Sequence, residues 1–133
     1  MKLQVENLSF AYDQEPVIEN ISITVKKGEF VGLIGPNGSG KSTILKNLYR
    51  ALQPKGGVVK LDGDDLFKLN YKQAAKKIGV VGQENSLPFD FTVEEIVAMG
   101  RSPYKKIFDG DTLEDKEIIN KSLAYMGIAE MAK

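Results

Sequence analysis

The 133-residue chain has neither cysteine nor histidine. Without thiols there is no disulfide framework, thiol nucleophile or cysteine metal site. Without imidazole there is no histidine zinc site and no Ser–His triad. Net charge is missing too: 18 Lys and Arg balance 18 Asp and Glu. That balance speaks against a basic domain built on nucleic-acid phosphates. No apolar run approaches the roughly 18 residues of a membrane span. The start of the chain carries Glu6 and no signal-peptide core, so the expected location is cytoplasmic. What is present is ordinary for a globular domain, with 42% apolar and 27% charged residues. One domain of common size, able to bury a core, is expected.

The order of patterns predicts an α/β fold. Leu3, Val5, Leu8 and Phe10 roughly alternate, as in a strand with one buried face. Asp13-Gln14-Glu15-Pro16 reads as a turn, and Val17, Ile21, Ile23 and Val25 resume a strand. After Lys26-Lys27-Gly28-Glu29, another turn, the apolar run Phe30 to Ile34 suits a strand buried on both faces. Ile44, Leu45, Leu48 and Leu52 then recur at helical spacing until Pro54 and Gly56-Gly57. Val58 to Leu61 reads as a strand turning at Asp62-Gly63, Asn70 to Lys77 as a short helix, and Ile78 to Val81 as another buried strand. Thr92 with Glu95, and Thr112 with Asp115, have capping-box spacing ahead of two later helices. The second of these should end near Gly127, and Ser102 to Gly110 forms a loop between them. There is no internal repeat and no low-complexity tract.

Chemistry concentrates between Gly35 and Ser42, which match G-x-x-x-x-G-K-[ST] at every fixed position. An apolar run precedes the motif and a helical pattern follows it, the context such a loop needs. Glycines let successive N–H groups turn inward around phosphate oxygens. The loop feeds a helix N-terminus, whose free N–H groups and dipole favour anions. Lys41 can reach β- and γ-phosphates as a point charge, and the Ser42 hydroxyl is placed to ligate Mg²⁺. The bland alternative is a glycine-rich turn with a capping serine. The motif alone reaches only the P-loop class, which holds transport ATPases, GTPases and small-molecule kinases. Asn120-Lys121-Ser122-Leu123 lacks the Asp of a guanine-reading N-K-x-D, so a GTPase is discounted.

Leu8-Ser9-Phe10-Ala11-Tyr12, Ile18-Glu19-Asn20-Ile21-Ser22, Lys27-Gly28-Glu29 and Gly35 to Thr43 together resemble the nucleotide-binding subunit of ABC transporters. The resemblance covers essentially the whole chain. It implies a P-loop ATPase fold with N-terminal antiparallel strands, a phosphate-loop strand–helix unit and the start of a helical subdomain. Residues 1–84 would form the ATP-binding core with its antiparallel part, and residues 85–133 the beginning of the helical part. ATP and Mg²⁺ are the implied cofactors. Gly35, Pro36, Asn37, Gly38, Ser39, Gly40, Lys41, Ser42 and Thr43 would hold the phosphates and the metal. Tyr12 would stack on adenine, and a tyrosine packed in a β-turn is the alternative. Gln83 would match the family's glutamine loop, contacting Mg²⁺ and the attacking water and linking ATP to the membrane partner. Gly82 departs from the proline often found before that glutamine, which allows more backbone freedom.

Thr92 to Tyr104 looks like the branch that serves iron-chelate, haem and cobalamin import. Residues 85–91, with Leu87, Phe89 and Phe91, would face a membrane permease or else plug the domain's own core. Arg101 reads either as functional or as a cation at a helix C-terminus. The family's signature sequence, its Asp-bearing strand with the catalytic Glu, and its switch His are not among the 133 residues. Val58-Val59-Lys60-Leu61-Asp62 imitates that strand, but Lys60 interrupts it and Gly63 stands where the Glu belongs. The chain therefore looks like the N-terminal half of such a subunit, with negligible hydrolysis alone and an unprotected apolar sheet edge. In the intact protein the resemblance implies an ATP-sandwiched homodimer, peripheral on the inner membrane face, coupled to a permease. Three alternatives stay open: a nucleotide- or phosphate-binding module without turnover, a non-binding chain that self-associates, and another P-loop enzyme such as a small-molecule kinase.

Overall fold

The computed structural model describes residues 2–83, 90–106 and 108–132. It divides into two compact units, Met1–Asn70 and Tyr71–Lys133. The α/β character expected of the chain is present, as a mixture of an antiparallel sheet and short helices.

The first unit is built on β1 (Leu3–Tyr12), β2 (Glu15–Val25), β3 (Gly56–Leu61) and β4 (Asp64–Asp65), with α1 (Lys41–Leu48) inserted between β2 and β3. The sheet order is β2-β1-β3-β4 and every neighbouring pair is antiparallel. β1 is thus flanked on both sides. Its residues Val5, Leu8 and Phe10 are buried with Ile18, Val59, Leu61 and Leu66. Burying each such side chain contributes about 2 kcal/mol.

Both hairpins turn on residues that accept positive φ. Asp13 (φ 52) begins the two-residue connection between Tyr12 and Glu15. Glu15 and Pro16, read from the sequence as part of that turn, instead start β2. β2 is an edge strand, where a proline without an N–H is tolerated. Asp62 (φ 53) and Gly63 (φ 90) form the connection between Leu61 and Asp64, as a type I′ turn requires. Asp62 also accepts from the Lys2 amide at 2.7 Å. It is a turn residue tied to β1, in keeping with the hairpin reading of Val58 to Asp62.

Two segments depart from expectation. Phe30 to Ile34 runs without a strand partner into the phosphate loop, with Phe30 100% and Ile34 96% exposed. Ile78 to Val81 is likewise no strand, and Val81 is 97% exposed. A run apolar on both faces is stable as a strand only when neighbours bond both edges and layers cover both faces. None of the four strands pairs with either run.

The second unit holds α2 (Tyr71–Ala75), α3 (Val93–Met99), a 3-10 turn at Ser102–Tyr104, α4 (Leu113–Tyr125) and a 3-10 turn at Ala129–Met131. Among its described residues the buried apolar side chains are Ala74, Ile119 and Leu123. Both capping boxes are formed. Glu95 N donates to Thr92 Oγ1 at 3.2 Å, and Thr92 N donates back to Glu95 Oε2 at 2.8 Å. Asp115 N donates to Thr112 Oγ1 at 3.1 Å, and Thr112 N returns to Asp115 Oδ2 at 3.1 Å.

Asp115 carries a second partner. Arg101 Nε donates to its Oδ1 at 2.7 Å, and both side chains are largely buried. The Arg101 guanidinium also lies 4.2 Å from the Tyr104 ring centre, with Lys76 Nζ at 4.9 Å from the same ring. Arg101, just past the C-cap of α3, therefore also serves as an ion-pair partner and a ring cation. The Arg101 guanidinium, then the Thr112 hydroxyl and amide, hold the Asp115 carboxyl at about 2.

Two predictions follow from this packing. Gly57 has φ 79, and a Cβ there would meet Asn7 O at 2.3 Å. Gly57→Ala should destabilise the chain by about 3 kcal/mol, read as a fall in the urea midpoint. An unchanged midpoint would contradict the close β1–β3 approach. Because the Asp115 carboxyl is depressed in the fold, its stabilisation is complete above its ordinary value of 3.8 and lost as pH falls toward about 2. Acid titration of helical circular dichroism should show this loss in the wild type and a flatter profile in Asp115→Asn. Coincident profiles would remove the ion pair as the cause.

Candidate functional site

The phosphate-loop motif emerges from the end of the exposed run and closes directly onto α1. Ser39 N donates to Pro36 O at 3.2 Å, and Ile44 N donates to Gly40 O at 2.9 Å as the first helical bond. Gly38 (φ 81) and Gly40 (φ 89) take the left-handed conformation that lets the backbone curl. Gly40 is the N-cap of α1 and offers no side chain to its amides, and the first turn has no acidic residue. The helix therefore presents uncapped N–H groups and the positive end of its dipole at the loop.

Lys41 bends back over this loop. Its Nζ donates to Gly35 O and Pro36 O, each at 2.7 Å, and lies 3.4 Å from Ser39 Oγ. The carbonyls thereby hold the ammonium group at the loop rather than out in solvent. Gly35 keeps the centre clear, since a Cβ there would stand 2.9 Å from Ser39 Oγ. Asn37 is exposed, as are Pro36 and Gly38. Ser42 is exposed at the start of α1, whereas Thr43 is buried and its carbonyl accepts from Asn47 Nδ2 at 2.8 Å. Bare backbone, uncapped amides and a positioned ammonium fit a polyphosphate. The exposed Ser42 hydroxyl fits a metal held jointly by protein and phosphate, and no acidic cluster of the metal-binding kind exists among the described residues.

The sheet meets the loop through β2. A Cβ on Gly40 would lie 3.2 Å from Val17 O, 3.5 Å from Val17 Cγ1 and 3.7 Å from Ile18 Cγ1. Tyr12 belongs to the same hairpin end, because Tyr12 pairs with Glu15 and Ala11 with Pro16. Its ring is 46% exposed and stands edge-on to Phe10, with centres 4.9 Å apart. Tyr12 and residues 35–43 are therefore gathered in one unit. Gln83 belongs to the other, exposed in a bend beyond α2. Of the segment 85–91, residues 85–89 (Leu87 and Phe89 among them) lie outside the described residues, and Phe91 is 38% exposed.

Sequence reading passed over Val17 as a functional neighbour, and over the strand irregularities that place it. The signal was available. Val5 to Leu8 and Ile18 to Ile21 each break the two-residue alternation with a gap of three that contains an asparagine. Arg101 with Asp115 left no comparable trace, since partners 14 residues apart across a loop follow no fixed spacing.

With this geometry in place, comparison with known proteins is informative. Over 131 residues the chain is 38% identical to the ferric enterobactin transport ATP-binding protein FepC of Escherichia coli, covering 98% of this chain and 48% of that protein. It is 36% identical to the hemin import ATP-binding protein HmuV of Bordetella bronchiseptica, covering 100% of this chain and 50% of that one. A solved ATP-binding subunit of an ABC transporter superposes with a TM-score of 0.81 at 25% identity, over 99% of this chain and 53% of the other. The chain thus spans about half the length of the curated relatives it matches. The ABC transporter family model takes in residues 18–133, which include most of β2, the phosphate loop, α1 and both capped helices, and the chain belongs to that family.

Proposed function

We propose that this chain is the nucleotide-binding part of an ATP-driven importer subunit, in the branch that moves iron chelates, haem or cobalamin. The observation that carries the proposal is the cradle itself: left-handed Gly38 and Gly40, the uncapped start of α1, and Lys41 Nζ held on two loop carbonyls. Backbone amides of the loop other than Pro36, which has no N–H, would receive the phosphate oxygens. Lys41 would trade its neutral carbonyl acceptors for charged phosphate oxygens. Ser42 supplies a hydroxyl ligand for Mg²⁺. Tyr12 offers its exposed ring to adenine. Mg²⁺, when bound, would supply charge neutralisation for the phosphates.

Gln83 extends this reading to the complete protein. It would orient the attacking water and contact the metal, and with residues 85–91 it would meet a membrane permease. Hydrolysis, homodimer formation around ATP, and attachment to the inner membrane face belong to the same proposal. The transport part of the reading is supported by relatives named as a ferric enterobactin transport and a hemin import ATP-binding protein. Among the described residues no helix is long and apolar enough to cross a membrane.

Calorimetric titration with Mg-ATP and with inorganic tripolyphosphate tests the site. Lys41→Ala should weaken both ligands by about 10- to 100-fold. Tyr12→Ala should weaken ATP by about tenfold and leave tripolyphosphate unchanged. Wild-type affinity in Lys41→Ala would overturn the phosphate assignment. The exposed run Phe30 to Ile34 favours a second reading for the 133 residues in isolation, self-association through that run. Light scattering should then give a mass that rises with concentration, and Phe30→Asp should suppress the rise. A concentration-independent monomer mass would remove this reading.

A further inference from the structure

The β1–β2 hairpin contains two irregularities that cancel. From Val5↔Ile23 to Leu8↔Ile21, β1 advances by one residue more than β2. From Leu8↔Ile21 to Phe10↔Ile18, β2 advances by one more than β1. The extra residues are accommodated at Asn7 (φ 51) and Asn20 (φ 52), both left-handed. Each has its amide covered from the opposite strand: Asn20 N donates to Ser9 Oγ at 3.0 Å, and Asn7 N donates to Ser22 Oγ at 2.9 Å. Ser22 Oγ also lies 3.4 Å from Asn7 Oδ1. The segments Asn7-Leu8-Ser9 and Asn20-Ile21-Ser22 thus serve each other around the Leu8–Ile21 pair.

Cancellation matters at the hairpin end. With the Asn7 bulge alone, Phe10 would oppose Glu19 instead of Ile18, and the strand residues beyond it would slip by one. The next irregularity, at Val17 between Phe10↔Ile18 and Ala11↔Pro16, turns the Val17 carbonyl to the loop glycine Gly40. We infer that Ser9 and Asn20 are positioning residues for nucleotide binding. They set the register of the hairpin end and so place Tyr12 for a base held at the phosphate loop. The inference rests on the adenine role proposed for Tyr12. Neither residue touches the loop in this arrangement; both act through the strand they hold.

The test is a comparison of Mg-ATP with tripolyphosphate in the intact protein that contains this chain, using four variants beside Tyr12→Ala. Ser9→Ala leaves the Asn20 amide without its acceptor and should weaken ATP by about fivefold with tripolyphosphate unchanged. Ser9→Thr restores the hydroxyl and should restore affinity. Asn20→Gly adopts the same φ and should bind as wild type, whereas Asn20→Val is strained there and should repeat the Ser9→Ala pattern. Equal weakening of both ligands in Ser9→Ala, or unchanged ATP affinity in both Ser9→Ala and Asn20→Val, overturns the inference. If Tyr12→Ala weakens ATP while those two variants do not, the inference alone fails. If Tyr12→Ala has no effect on ATP, the adenine assignment fails and takes the inference with it.

Discussion

The first unit depends on the place where the sheet touches the phosphate loop. Gly40 sits so near the Val17 carbonyl that any other residue would crowd it. It must also hold φ 89, which glycine alone holds without strain. Two demands of different origin, steric and conformational, therefore fall on one position. Meeting both starts α1 with its amides uncovered and anchors an otherwise exposed loop to an antiparallel sheet.

In the second unit the corresponding constraint is electrostatic. Asp115 closes the capping box at the start of α4 and receives the Arg101 guanidinium with its other oxygen. Arg101 in turn covers Tyr104, whose ring also meets Lys76. One carboxylate thus ties the beginning of α4 to the 3-10 turn and, through the ring, to the end of α2. Lys72 Nζ adds a bond to Lys105 O at 2.6 Å. Among the described residues the unit buries few apolar side chains. Its arrangement leans on polar joints more than the first unit does, and an ionised Asp115 is the centre of them.

Features set by local backbone chemistry were legible in the residues. The phosphate loop, the two capping boxes and the Asp62-Gly63 turn are encoded within a few positions each, so spacing alone identifies them. The strand assignments for Phe30 to Ile34 and Ile78 to Val81 failed for the opposite reason. An apolar run records a preference for burial but not the presence of neighbours that would bury it. Tyr12 and residues 35–43 were named from the motif and the resemblance, and the fold gathers them through Val17, which no motif marks. Arg101 was noticed, yet its partner came from a helix across a loop and left no periodic sign.

The same irregular hairpin has a bearing on solubility. β2 lies at the margin of the sheet, the kind of strand that recruits a stranger's backbone. Here it is a poor template. Pro16 offers no amide, and the breaks at Val17 and Asn20 spoil the even spacing an incoming chain would need to zip along it. Selection for a correctly placed nucleotide contact would therefore also deny this flank to edge-to-edge aggregation.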